Sequence, residues 1–326
     1  MTQVLITVDT ELSALLHQRG ATADANFAAS ITGQLGRHAY GVDWQMDCLD
    51  RHGLKGVFFV DPMPGLVFGP EIVARMVSPI LARGHEVQLH LHTEWLEWAS
   101  GSPVGGHQGR NIADFSLEDQ VILLGWARDA LVGAGAPQPV AFRAGNYGAN
   151  DDTLKALAAL GFAWDSSFNA HYRNSHCGIG LGVEHVDPVW RLGVAEVPVA
   201  VIGDRAGSIR PAQICALSSN EMYAGLHHAA ETGRPAFAIV THSFEMLSRD
   251  RKRPNRAVMR RFAAMCRTIA DHPGLTTTGF AHLDHRIAEQ DRPQGTRLAP
   301  HPMRRLNRMA QQALATWLYE RQLFPA

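Results

Sequence analysis

The sequence predicts an α/β fold built on a parallel sheet, either open or closed into a barrel. Three observations carry that prediction. Short apolar runs rich in valine and isoleucine recur along the chain, helix-like segments separate most of them, and no long polar linker interrupts the series. Repeated β-then-α order is the pattern of parallel strands joined by crossover helices. A chain of 326 residues is long enough for one large domain or two ordinary ones. The missing linker favours one, taken as residues 1–292, with 293–326 as a C-terminal helical extension.

The elements follow in order. "QVLITVD" (3–9), "KGVFFV" (55–60), "EVQLHLH" (86–92), "PVAFRAG" (139–145), "AEVPVAV" (195–201), "AFAIVTHS" (236–243) and "LTTTGFAH" (275–282) read as strands. "FAWDSSF" (162–168) is a weaker eighth. "PEIVARMVSPILARG" (70–84) opens on proline and closes on glycine, as helices do. "SLEDQVILLGWARDALVGAG" (116–135) begins with Ser116 three residues before Asp119, a capping-box pattern. "NDDTLKALAALG" (150–161) and "RAVMRRFAAMCRTIADHPG" (256–274) are further amphipathic helices.

Two stretches break the alternation. Residues 12–42 form a long insertion before the first regular helix. In the tail, "PMRRLNRMAQQALATWLYERQ" (302–322) reads as a helix with Leu306, Ala310, Ala313 and Trp317 in a stripe and Arg304, Arg305 and Arg308 alongside. Such a helix either docks on the domain, the reading preferred here because the stripe is weak, or meets a membrane surface or a partner.

Bulk charge limits the function. Thirty basic residues balance 31 acidic ones, which argues against a dedicated nucleic-acid binder. The N-terminus lacks a basic region followed by a long apolar run, and no stretch of about 18 apolar residues could span a bilayer. A cytoplasmic location is therefore expected, with Cys48, Cys177, Cys215 and Cys266 reduced, since no C-x-x-C pair occurs.

Polar residues collect at the C-terminal ends of the expected strands: Asp9 and Glu11, His90 and His92, Arg143, Asp165, and His242. Barrel enzymes draw catalytic groups from that rim, on several different strands. Charges also end strands simply to meet water, so five strands doing so together is the signal. In "TVDTE" (7–11) one carboxylate can take a proton while the other holds a cation. In "HLH" (90–92) residues two apart on a strand face the same way, and imidazole is a common zinc ligand. Arg143 can hold a carboxylate, and His242 suits general-acid work near neutral pH. "NSHCG" (174–178), with His176 and Cys177, lacks the spacing of a second metal site.

Read in order, "TVDTE", "GLKGVFFV", "GHEVQLHLHTEW", "FRAGNYG", "FAWDSSF" and "IVTHSFEM" resemble the polysaccharide deacetylases, carbohydrate esterase family four, over residues 3 to 285. The resemblance is to the nodulation-factor-deacetylase-like members, in a divergent branch. It implies a distorted (β/α) barrel of seven to eight strands and metal-dependent removal of an acetyl group from an N-acetylated sugar. The family's T-F-D-D becomes "TVDTE", so Asp9 matches the base, Thr10 stands at the ligand position and Glu11 substitutes. In the family's H-[ST]-x-x-H, Glu94 stands where the second histidine belongs; in its R-x-P-x-Y, Arg143 and Tyr147 remain but the proline is lost.

The resemblance implies that Asp9 removes a proton from the attacking water while Arg143 keeps Asp9 ionised. The Tyr147 backbone N–H, together with the metal, stabilises the oxyanion, and His242 protonates the departing amine. Asp165 orients Arg143 or His242. Tyr147, Asn146 and Trp95 are taken as substrate-binding. The metal set is Glu11, His90 and His92, with zinc expected and cobalt, manganese or nickel as alternatives. His92 is preferred to Glu94 because neutral imidazole suits zinc, and two carboxylates beside Asp9 would crowd negative charge. The expected partner is an N-acetylated saccharide. Competing readings are an amidohydrolase acting on a non-sugar or cyclic amide, and a non-catalytic saccharide-binding homologue.

Overall fold

The structure is a computed structural model that describes residues 1–173, 175–289 and 293–320. Its main sheet has nine strands: β1 (Thr2–Thr10), β2 (Val57–Val60), β3 (Glu86–Leu91), β4 (Ala141–Ala144), β5 (Trp164–Asp165), β6 (Val189–Arg191), β7 (Val194–Glu196), β8 (Ala236–His242) and β9 (Leu275–Thr277). The order is β8-β1-β2-β3-β4-β5-β7-β6, with β9 also paired to β1. All pairings are parallel except β6 with β7.

The sheet curls into a distorted barrel because the chain after β7 reaches both edges. Val197 and Val199 donate backbone hydrogen bonds to Asp165 and Phe168 on one side. On the other, Val199 bridges Ala238, and Ala200 donates to the Ala238 carbonyl at 3.0 Å. The expected (β/α) barrel is thus the observed fold. The crossover helices are α1 (Val42–Arg51), α2 (Glu71–Ala82), α3 (Leu117–Gly133), α4 (Asp151–Ala159), α5 (Ser219–Glu231) and α6 (Arg256–Asp271). Side-chain caps start several of them: Ser116 for α3, Asn150 for α4, Ser218 for α5 and Asn255 for α6.

Strand periodicity separates two cores. Val4, Ile6 and Val8 face outward under the helices, whereas Leu5, Phe59, Ala141, Trp164, Ala195 and Ala238 fill the barrel. Phe280 and Leu283, from the segment after β9, belong to that inner cluster. The same alternation carries polar groups to the other end: Leu5, Thr7 and Asp9 share a face, as do Ala141 with Arg143 and Ala238 with His242. Apolar residues fill the barrel, and chemistry sits at its C-terminal rim.

Some elements differ from expectation. "LTTTGFAH" yields only the three residues of β9, after which Phe280–His282 turns into a 3₁₀ helix. Residues 12–42 hold two short helices, Ala14–Gln18 and Ala23–Phe27, a π turn and a two-residue strand pair. The expected boundary at 292 falls outside the described residues. The tail helix α7 (Pro302–Ala315) is present and continues through Thr316–Glu320; residues 321 and 322 of the expected helix lie outside those described. It docks on the domain, as preferred, and does so with its polar side: Arg308 is buried while Leu306 and Trp317 are exposed. The reason is electrostatic. Buried Glu221 and largely buried Asp204 receive the Arg308 guanidinium.

Candidate active site

Asp9 and Arg143, on β1 and β4, meet inside the rim. Arg143 Nη1 lies 2.7 Å from Asp9 Oδ1, and neither residue is more than 3% exposed. The guanidinium also donates to Thr7 Oγ1 at 2.7 Å, to Ser166 Oγ at 3.1 Å and to the Ser166 carbonyl at 3.1 Å. It rests 4.3 Å from the centroid of Phe59. With its donors so engaged, a fully buried cation is tolerable and its position is fixed.

Opposite Arg143, the second Asp9 oxygen faces His242 Nε2 at 3.9 Å. His242 Nδ1 bonds Glu245 Oε1 at 2.8 Å. Burial alone would push the imidazole down, but Glu245, then Asp9 and Glu11, outweigh it and push it up to about 9. His242 therefore carries its proton at neutral pH. Glu245 escaped the sequence reading, although its place three residues after His242 in "THSFE" was visible.

Glu11, His90 and His92 bring one ligand atom each within 4.8 Å of one another. Glu11 Oε2 lies 2.6 Å from His92 Nε2 and 3.1 Å from His90 Nε2. The opposite ring nitrogens are taken: His90 Nδ1 donates to the Arg143 carbonyl at 2.7 Å, and His92 Nδ1 bonds Glu94 Oε2 at 2.7 Å. Each Nε2 lone pair is thereby aimed at the Glu11 carboxylate. Acceptors facing one another are reconciled by a cation between them, and imidazoles held from behind by a carbonyl and a carboxylate are the usual support of a metal site. The donor set fits a divalent ion of the zinc type. Glu94 stands behind His92, not beside it.

Without an ion, charge is shared among these groups. Burial would raise Glu11, but the charge of His92 and hydrogen bonds from both imidazoles hold it well below the carboxylate range. Burial would lower His92, yet Glu11 and then Glu94 hold it well above its ordinary value. Asp61, just after β2, was also missed. Its Oδ1 accepts from the Met63 N–H at 3.0 Å, while Oδ2 is buried without a partner among the described residues. Burial, opposed by His92 and His90, pushes Asp61 up to about 6.

The loop after β4 shapes the floor. A Cβ on Gly145 would come within 2.7 Å of the His92 ring, so only glycine fits there. Asn146 and Tyr147 follow, both at φ 56, a left-handed turn that few non-glycine residues adopt. Asn146 Nδ2 donates to Glu94 Oε1 at 3.3 Å. The Tyr147 ring stacks on Tyr172 at 5.5 Å, and its hydroxyl accepts from Gln213 Nε2 at 2.9 Å. Asp9, Glu11, His90, His92, Asn146, Tyr147, Tyr172, His176, Gln213 and His242 line one cavity of about 250 Å³.

Two sequence-expected residues lie elsewhere. Trp95 is fully buried against His17, Phe68 and Trp98, because Thr93–Trp98 turns as a 3₁₀ helix and carries the indole into the core. Asp165 bonds Ser167, through Oγ at 2.7 Å and N–H at 3.0 Å, and pairs in register with buried Glu196. Asp165 bonds neither Arg143 nor His242: Asp9, Thr7 and Ser166 hold the Arg143 guanidinium, and Glu245 holds the His242 ring. His176 reaches the cavity, whereas Cys177 is buried with its thiol towards the Ser167 carbonyl.

Carboxylates, imidazoles and one arginine gather at the rim of a distorted (β/α) barrel, a set able to move protons and to hold a cation. Comparison with solved structures places the fold. The provisionally assigned polysaccharide deacetylase from Mycobacterium smegmatis is similar with a TM-score of 0.56 and 19% identity, over 90% of this chain and 94% of that one. The 4-alpha-glucanotransferase from Thermococcus litoralis is similar at 0.50 and 10% identity, over 86% of this chain and 39% of that one. No family model matches the chain, and no curated protein matches it by sequence. The chain has the polysaccharide deacetylase fold, and that fold alone does not fix the reaction.

Proposed function

We propose that this chain is a metal-dependent hydrolase of the polysaccharide deacetylase family that removes an acetyl group from an N-acetylated saccharide. One observation carries the reading: Asp9, held from behind by buried Arg143, the Glu245-supported His242 and the Glu11–His90–His92 set open onto a single cavity. A non-catalytic binding site has no need of a buried acid–base pair beside a cation site.

Glu11, His90 and His92 would hold the ion, preferably zinc. When bound, it would polarise the acetamide carbonyl and lower the pKa of a coordinated water. Asp9 accepts the proton of the attacking water, with Arg143 and the rigid Ser166 and Thr7 contacts holding its carboxylate in place. The Tyr147 N–H is offered as a donor to the oxygen that gains charge. His242, already protonated, gives its proton to the nitrogen as the C–N bond breaks, so that acetate and a free amine leave. Tyr147, Asn146 and Tyr172 shape the sugar site, and the small polar cavity suits one sugar residue. Asp165, buried and bonded to Ser167, is assigned the support of the Ser166–Ser167 turn on which Arg143 rests.

The test is acetate release from a panel of N-acetylated saccharides, set against small linear and cyclic amides, with metal-loaded protein. Release from saccharides alone supports the reading. Release from the small amides alone would assign the same site to a different amide.

A further inference from the structure

An amphipathic helix on a folded protein normally buries its apolar stripe. Helix α7 does the opposite. Arg308 is 2% exposed, its Nε bonding Glu221 Oε1 at 3.0 Å and its Nη2 bonding Asp204. Gln312 donates to the Ala216 carbonyl at 3.2 Å. The other side presents Met303, Leu306, Met309, Leu314 and Trp317 to solvent, each 48–67% exposed. One side of the helix is fastened by ion pairs, leaving a continuous apolar face outside.

The surrounding charge selects what covers it. From His301 to Tyr319 there is no acidic residue, while Arg304 and Arg305 flank the stripe. Arg256 and Arg260 of α6 are exposed and line the groove beside Leu314 and Leu318. A second copy packed face to face would oppose these guanidinium groups with their own duplicates. An anionic bilayer matches instead: apolar side chains and a tryptophan enter the headgroup region while arginines meet lipid phosphates. We infer that the outward face of residues 302–317, rimmed by Arg256 and Arg260, docks on an anionic membrane surface.

This inference stands apart from the reaction assigned above, although the two regions touch. Gln312, Ala315 and Thr316 share a cavity of about 400 Å³ with Phe244 and Glu245, the loop that supports His242. Membrane contact would therefore hold the active-site loop close to the lipid surface.

The test is co-sedimentation of the full chain with vesicles of phosphatidylcholine, alone or mixed with phosphatidylglycerol. Binding is expected only to the mixed vesicles and should weaken as salt rises. Leu306→Asp and Trp317→Asp, both at exposed positions, should each weaken it by about tenfold or more. Arg256→Glu with Arg260→Glu should reduce it without touching the stripe. Circular dichroism confirms that each variant folds. Wild type remaining in the supernatant with the mixed vesicles would overturn the inference, as would equal, salt-independent binding to both vesicle types. A dimer in sedimentation velocity that Leu306→Asp dissociates, without vesicle binding, would overturn it in favour of a second copy.

Discussion

Arg143 and Asp9 form an ion pair at 2.7 Å in which the arginine is fully buried and the aspartate nearly so. Removing one member leaves the other as an unpaired buried charge. Arg143→Met should therefore destabilise the fold by about 3–5 kcal/mol, read from denaturant unfolding. Asp9→Asn keeps the shape and should lower turnover by a factor of roughly 10² to 10⁴ while leaving the bound metal in place. An active Asp9→Asn protein would remove Asp9 as the base.

His242 should set the alkaline limit of activity. As the proton donor it must be charged, and its value of about 9 keeps turnover level through neutral pH and lets it fall above about 9. Glu245 is the strongest group raising it, so Glu245→Gln should move the alkaline limb to lower pH, as read in kcat/KM against pH. His242→Ala should cost about two orders of magnitude or more. A limb that stays put in Glu245→Gln would disconnect the pair from the reaction.

The metal set predicts a graded series. Glu11→Gln, His90→Ala and His92→Ala should each lose most of the bound ion in elemental analysis. Glu94→Gln should retain an ion but bind it roughly 10–100-fold more weakly, because Glu94 only fixes the His92 ring. Full occupancy in His92→Ala with loss in Glu94→Ala would make Glu94 the ligand instead.

Asp165 and Glu196 offer a stability test. Burial comes first in pushing both up, and for Glu196 the Asp165 charge adds to it. A carboxyl whose folded value is raised keeps its proton while the unfolded chain, near about 4, releases its own. Stability is thus lost as pH rises above about 4 towards the folded value. Glu196→Gln has no such titration, so its stability relative to wild type should grow between about pH 5 and about pH 8, measured as the urea midpoint. Equal midpoint differences at both pH values would show that the pair does not titrate in this way.

Much of the rim was legible because strand periodicity is strict. Asp9, Arg143 and His242 end strands whose earlier inward residues are Leu5, Ala141 and Ala238, so apolar filling and polar rim follow from one alternation. What the sequence withheld was pairing across distance. Glu245 sits in a turn, where a carboxylate usually meets water, and only the fold bends it onto His242. Asp61 ends the strand "KGVFFV" as charges commonly do, and its burial depends on His92 arriving from the neighbouring strand. Trp95 looked like a sugar platform beside the histidines, yet one short helical turn sends it into the core. The stripe of α7 was read correctly, but which side faces the protein was decided by Glu221 and Asp204, far away in sequence.

The central claim, metal-dependent removal of acetyl groups from a saccharide amide, is tested most directly by acetate release from N-acetylated saccharides before chelation, after it, and after zinc is restored. The account predicts acetate and free amine in equal amounts, loss on chelation, and recovery with zinc in wild type but not in His90→Ala. Folded, zinc-loaded protein that binds these saccharides and releases no acetate from any of them would contradict it.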